Sequence, residues 1–202
     1  MVKRIYIIRH GQTDYNLKRI IQGGRVDTDL NDRGRQQADQ FYQFYRNIPF
    51  DKIYTSALKR TLQTVEPFRK EGIPIESYSE LNEIDWGKDE GISLDEPIGL
   101  DYYRLLEQWG LGQIDLKIEG GESPIEVSIR LKKMMDLILF RPEERCVLLC
   151  VHGRIIRILL CVLLNYPLWC MDSFIHDNLC VYELRYTGTF FSVYQFSNTE
   201  HL

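Results

Sequence analysis

The chain has 202 residues, 44% of them hydrophobic and 27% charged, with a formal net charge of −4. That is the length of one compact α/β or α+β unit with ordinary globular usage, which excludes disordered, fibrous and collagen-like readings. No stretch reaches the ~18 apolar residues a membrane span needs, and an acidic balance lacks the basic excess of a nucleic-acid binder.

Taken in chain order, Ile5-Tyr6-Ile7-Ile8 reads as a strand buried on both faces, ending at Arg9-His10-Gly11. The run Met1 to Ile8 is too short for the apolar core of a secretory signal. Asn31 is placed to cap a helix whose apolar positions Ala38, Phe41, Tyr42 and Tyr45 follow helical spacing. Lys52 to Thr55 reads as a second strand, Ser56 as the cap of a helix carrying Arg60 and Thr64, and Ile73 to Tyr78 as a third strand. Residues 85–122 hold ten acids against three bases (Lys88, Arg104, Lys117), interspersed with glycines, and read as a loop-and-helix insert over one end of the sheet. Ser123 to Phe140 is an amphipathic helix with Val127, Leu131, Met134 and Ile138 on one stripe. Cys146 to Val151 reads as a central strand, followed by His152-Gly153 and a helix over Arg154 to Leu164. Val181 to Tyr186 and Phe190 to Phe196 form a closing hairpin. This order implies a layered α/β fold with a mostly parallel sheet. The five cysteines (Cys146, Cys150, Cys161, Cys170, Cys180) show no C-x-x-C pair and read as reduced thiols of a cytoplasmic protein.

Ligands of such sheets bind outside the carboxyl ends of the strands. Three strands here end in Arg9-His10-Gly11, in Ser56 with Arg60 one turn on, and in His152-Gly153, which sets two imidazoles and two guanidiniums at one edge. A guanidinium at the inner end of a buried strand calls for an anion. Gly11 lacks a Cβ and admits close approach of a ligand, and Gly153 opens a helix whose free N–H groups and dipole favour negative charge. The convergent target is a phosphoryl group. Arg9, Arg60 and a protonated His152 would spread positive charge over its oxygens without a metal, and two arginines in one pocket would repel a cation. A neutral His10 would act as in-line nucleophile, forming a phosphohistidine, and Glu83 after the third strand is placed to hand a proton to the leaving oxygen. His176 and His201 read as loop and tail residues. Trp86 and Trp109 read either as packing the insert or as stacking on a substrate ring.

These motifs resemble the histidine phosphatase superfamily, in its phosphoglycerate-mutase-like branch 1. Arg9-His10-Gly11-Gln12-Thr13 with Asn16 resembles the family's R-H-G-x-T-x-x-N, and Ser56 to Thr64 resembles S-x-x-x-R-T-x-x-T. Gln22-Gly23, Asp27 to Leu30 and Gly34 to Ala38 resemble Q-G-x-x-D-x-P-L-T-x-x-G-x-x-Q-A, with Asp29 in place of proline and Asn31 in place of threonine. Leu81-Asn82-Glu83 resembles the segment carrying the proton donor, although Asp89 stands where many members have tryptophan. Gly121-Glu122-Ser123, Val151-His152-Gly153 and Asn178 complete the match. The resemblance implies a three-layer α/β/α sandwich with a mostly parallel central sheet, one domain over 1–202 with an acidic lid over 85–122. It implies His10 as the phosphorylated nucleophile and Glu83 as acid and base. Arg9, Arg60 and His152 would form the phosphate pocket, with Asn16, Gln22, Gly23 and Gly153 binding substrate. No metal or cofactor is implied.

The leading reading is a metal-independent phosphatase acting on a small-molecule phosphate ester, for example α-ribazole phosphate or a sugar phosphate, with no nucleic-acid or membrane partner. A cofactor-dependent phosphoglycerate mutase shares the same five residues. A binding domain for phosphorylated ligands without turnover is the third reading. The acids of the insert would repel substrates with several phosphates. The apolar face from Tyr166 to Phe174 is read as either core or an interface, so the oligomeric state, a homodimer included, stays open.

Overall fold

Alternating side chains decide the architecture. In the computed structural model, which describes residues 2–97 and 99–202, six strands form one sheet. Met1 of the first apolar run and Ile98 of the acidic insert lie outside the described residues. The strands are β1 (Lys3–Arg9), β2 (Lys52–Ser56), β3 (Ile75–Tyr78), β4 (Cys146–Val151), β5 (Val181–Tyr186) and β6 (Phe191–Asn198), in the order β3-β2-β4-β1-β5-β6. β1, β2, β3 and β4 run parallel, while β5 and β6 are antiparallel. The helices are α1 (Asp14–Leu17), α2 (Asp32–Tyr45), α3 (Lys59–Lys70), α4 (Gly99–Gly110), α5 (Pro124–Leu139) and α6 (Gly153–Leu164).

Because strand side chains alternate between faces, Ile5, Ile7, Val147 and Leu149 join one core with Val127 and Leu131 of α5 and Ile155 and Leu159 of α6. Tyr6, Ile8, Leu148 and Cys150 join a second core with Ala38 and Phe41 of α2 and Val65 and Phe68 of α3. The sheet is therefore covered on both faces, giving the three layers expected of continuous apolar strands. The five cysteines are free thiols, four of them buried. No helix among the described residues is long and apolar enough to cross a membrane.

Local signals place most element ends. Asn31 caps α2, its side-chain oxygen accepting from Gly34 N at 2.9 Å. Ser123 and Glu126 form a capping box at α5, with Pro124 in the first turn. Ser56 is different. It ends β2, and α3 starts after Leu58, which offers no side-chain cap. The Ser56 hydroxyl is drawn instead to His152 across the sheet edge, so the expectation of a helix cap is corrected.

Residues 85–122 carry α4 and pack on the α6 side of the sheet. Trp109 is completely buried and stacks on Trp86, the ring centroids 5.5 Å apart. Several acids of this segment form ion pairs: Asp85 with Arg25 at 2.7 Å, Glu122 with Arg130 at 2.9 Å, Glu119 with Lys88 at 3.1 Å and Asp101 with Arg104 at 3.0 Å.

Candidate active site

A cavity of about 320 Å³ opens where β1 and β4 end, with Arg9, Asn16, Gln22, Glu83 and Gly153 on its wall. His10, Arg60 and His152 lie buried behind that wall at 3%, 0% and 0% exposure.

His10 directly follows β1. Its ring Nδ1 lies 2.7 Å from the carbonyl of Gly11, which can only accept, so Nδ1 carries the proton and Nε2 keeps its lone pair. Burial, then Arg60 and Arg9, hold the His10 imidazole well below its ordinary value, and it is neutral at pH 7. Asn178 donates to the His10 carbonyl at 2.9 Å and fixes the loop. The rings of His10 and His152 stand 5.1 Å apart.

Arg60 projects from the first turn of α3. It donates from Nη1 to the carbonyl of Val26 at 2.7 Å, from Nη2 to that of Gly23 at 3.1 Å, and from Nε to His152 Nδ1 at 3.1 Å. An arginine cannot accept, so His152 Nδ1 is unprotonated and its Nε2–H donates to Ser56 Oγ at 2.8 Å. The Ser56 hydroxyl then donates to Thr61 Oγ1 at 2.9 Å, whose own proton goes to the carbonyl of Leu58 at 2.8 Å. One assignment of protons satisfies the whole chain. Burial, then Arg60, hold His152 well below its ordinary value, so the imidazolium expected from the sequence is a neutral ring that orients Arg60.

Arg9 donates from Nη1 to the His176 carbonyl at 2.9 Å and sits 3.3 Å from His176 Nδ1, while its buried Nε has no partner among the described residues. Burial lowers Arg9 from its ordinary value, opposed by Glu83. The Glu83 carboxylate accepts from Ile84 N at 2.9 Å and from Arg154 N at 3.2 Å. The α6 N-terminus therefore already holds an anion, the chain's own carboxylate, although Gly153 still lines the cavity.

Two glycines differ from expectation. A Cβ on Gly11 would stand 2.6 Å from the carbonyl oxygen of Gly34, so the close approach it permits is to the first turn of α2 rather than to a ligand. Gly23 is off the cavity wall, and a Cβ there would meet Glu90 Oε1 at 2.1 Å. Its carbonyl serves as an acceptor for Arg60. Asn16 and Gln22 are joined through Thr13, whose hydroxyl donates to Gln22 Oε1 at 2.8 Å.

The family model of the histidine phosphatase superfamily (branch 1) matches residues 5–199. The chain belongs to that superfamily. As a histidine phosphatase it is a phosphatase-type enzyme. It is 31% identical over 160 residues to the Schizosaccharomyces pombe protein named "Probable phosphatase C1687.21", covering 77% of this chain and 71% of that one. It is 33% identical over 167 residues to a Salmonella choleraesuis protein named "Probable phosphoglycerate mutase GpmB", covering 82% and 77%. The solved structure of mycobacterial glucosyl-3-phosphoglycerate phosphatase superposes with a TM-score of 0.85 at 25% identity, covering 98% of this chain and all of that one.

Several side chains of this histidine phosphatase reach the cavity without a warning in the sequence reading: Tyr15, Arg19, Ile20, Ile21, Leu94 and Tyr102, together with His176 and Arg154. His176 lines the wall and holds Arg9, and burial pushes its imidazole down to about 3. Arg154 lies on the wall, paired with Asp172 at 2.6 Å. His201 is far from the site, packed among Phe41, Phe44 and Tyr45. Among the described residues no group of three or more His, Cys, Asp or Glu side chains is placed to hold a metal.

Proposed function

We propose that this histidine phosphatase hydrolyses a small-molecule phosphate monoester without a metal, through a phosphohistidine on His10, as a cytoplasmic protein. The observation that carries the reading is the fixed tautomer of His10, a buried neutral imidazole whose Nε2 lone pair is unspent beside two guanidiniums. Arg9, on the cavity wall, brings its guanidinium charge to a phosphoryl group, and Arg60, aligned by His152, stabilises the charge that develops on transfer.

In the first step the His10 Nε2 lone pair forms the N–P bond as the P–O bond to the leaving alcohol breaks. Glu83, an anion in the free site, takes up the proton of a monoanionic phosphate ester and gives it to that oxygen. In the second step Glu83 takes a proton from water, whose oxygen attacks phosphorus, the N–P bond breaks, and free phosphate and neutral His10 are restored. Glu83 sits on the cavity wall, where one carboxyl can serve both leaving group and water.

The identity with Salmonella proteins named phosphoglycerate mutase favours a second reading, in which the phosphoryl group passes to a second acceptor rather than to water. Phosphate release from a panel of phosphate esters in EDTA, with His10→Ala as control, separates the two. Release that survives chelation and disappears in the variant supports hydrolysis. Isomerisation of 3-phosphoglycerate in the presence of its bisphosphate, without release, supports the mutase.

A further inference from the structure

The loop that precedes β5 grips the end of β1 at three points. The His176 carbonyl accepts from Arg9 Nη1 at 2.9 Å, Asn178 donates from its side-chain amide to the His10 carbonyl at 2.9 Å, and Leu179 N donates to the Arg9 carbonyl at 3.1 Å. Arg9 and His10 are thus held from one short segment of a different strand's approach.

His176 adds a side-chain contact to this grip. Its ring Nδ1 lies 3.3 Å from Arg9 Nη1. A guanidinium has no acceptor, so Nδ1 is unprotonated and the hydrogen of the neutral ring stands on Nε2. Nε2 has no partner among the described residues, nor has Arg9 Nη2, and both side chains line the cavity. The ring is seated against Gly153: a Cβ there would stand 3.1 Å from His176 Cε1 and Nδ1 and 3.4 Å from Nε2. The side chain that residue 153 lacks is therefore room for an imidazole.

The seat is rich in positive charge. Arg9 and His10 lie near the ring from the end of β1, Arg154 and Arg157 from α6, and Asp177 follows it in the loop. Asp172 pairs with Arg154 at 2.6 Å and also with Arg157, so one carboxylate answers two guanidiniums. Burial, then Arg9 and Arg157, push the His176 imidazole down to about 3, which keeps the ring neutral at pH 7. Only the neutral ring can accept from Arg9, since an imidazolium carries a proton on both nitrogens.

We propose that His176 is a positioning residue for Arg9 and, through its Nε2–H, a second, uncharged donor to the phosphate that Arg9 binds. The inference rests on the phosphatase reading and deepens it by adding a residue to the phosphate site. Arginine has a flexible stem, and its N–H groups bind a phosphoryl group well only when the guanidinium plane is fixed. Two acceptors of one residue, the His176 carbonyl and Nδ1, fix Nη1 and leave Nη2 for the ligand. The imidazole N–H then adds a hydrogen bond without adding charge to a site already crowded with guanidiniums.

The test reads the ring and the ligand together. NMR of the ring nitrogens, in protein isotopically labelled at histidine, identifies the His176 signal by its absence from His176→Asn. We expect the Nε2–H form, neutral from pH 8 down to pH 5, with an Nε2–H signal that moves when inorganic phosphate saturates the site. Calorimetry at pH 8 gives the phosphate affinity. His176→Phe keeps a ring but removes both nitrogens, and should bind phosphate at least tenfold more weakly, with KM for a hydrolysed ester rising by more than kcat falls. His176→Asn offers a carbonyl oxygen in place of Nδ1 and should recover at least threefold of that loss; a merely structural histidine would lower stability in urea without this rescue. An Nδ1–H ring, an Nε2–H signal unmoved by saturating phosphate, unchanged phosphate affinity in His176→Phe, or His176→Asn no better than His176→Phe overturns the inference. If His176→Phe does not fold, the wild-type spectra decide by the same criteria. A wild type that releases phosphate from esters yet binds none at millimolar concentration overturns the inference alone. Bound phosphate that moves the Nε2–H signal, with no phosphate released from any ester, upholds the role of His176 and overturns the phosphatase reading instead.

Discussion

Ser56→Ala separates two accounts of one residue. As a helix cap, Ser56 would contribute roughly 1 kcal/mol of stability and leave catalysis alone. In the structure its Oγ accepts from His152 Nε2 at 2.8 Å and from Leu58 N at 3.2 Å, and both donors are buried. Removing the hydroxyl leaves both without a partner, at about 1–3 kcal/mol each, so the variant should lose roughly 2–6 kcal/mol. It also frees the His152 ring to exchange tautomers. The Nδ1 acceptor that aligns Arg60 Nε at 3.1 Å is then present only part of the time. A displacement of order 1 Å in a catalytic group costs about a hundredfold in rate, and we expect kcat to fall ten- to a hundredfold with KM changing less. Urea denaturation gives the stability, and steady-state phosphate release at several pH values gives the rate, with Ser56→Thr retaining the hydroxyl and more of the activity. A loss near 1 kcal/mol with kcat/KM unchanged would refute the hydrogen-bond chain and restore the cap.

Stability should fall on acidification. His10, His152 and His176 are all held below their ordinary value of 6.5 by burial first, then by Arg60 for the first two and Arg9 for the third. The unfolded chain takes up protons below pH 6.5 and the fold does not. Stability is thus full above 6.5 and drops by about 1.4 kcal/mol per pH unit for each histidine below it; equilibrium unfolding that is level from pH 7 to 5.5 would contradict the neutral assignments. Gly34→Ala puts a Cβ 2.1 Å from the Gln12 carbonyl oxygen and 2.7 Å from its nitrogen, both backbone, so we expect at least ~2 kcal/mol of destabilisation by denaturation. Arg60→Lys keeps the charge but cannot span Val26, Gly23 and His152 together, and should lower kcat/KM at least a hundredfold in the same assay.

Most of the parallel half of the fold was legible in the sequence, because its signals are local. A continuous apolar run such as Cys146 to Val151 has no other use than a strand covered on both faces, and Asn31 and Ser123 announce their helices by cap chemistry. The residues at the ends of β1, β2 and β4 could be gathered by the rule that parallel strands finish on one edge. That rule is silent about β5. This strand runs antiparallel to β1, so the segment before it, with His176 and Asn178, reaches the same edge from the opposite direction. The histidine sat in a loop with no periodic or spacing cue to betray it. Composition counts the acids of the insert but not the way they face, and among its described residues the side chains that meet this cavity, Trp86, Leu94 and Tyr102, carry no charge. Protonation was equally beyond a linear reading, since His152 is neutral only because Arg60 Nε points at its Nδ1.

The account depends above all on His10 Nε2 as the atom that receives phosphorus. The most direct measurement is to mix the enzyme with a turned-over phosphate ester, quench in alkali within milliseconds, and map phosphate on the peptide containing Arg9-His10-Gly11 by mass spectrometry. An alkali-stable, acid-labile phosphoryl group on His10, formed and consumed at rates compatible with kcat and absent from His10→Ala, is the predicted result. Sustained phosphate release by His10→Ala, or turnover by the wild type with no label on that peptide at any time, would contradict it.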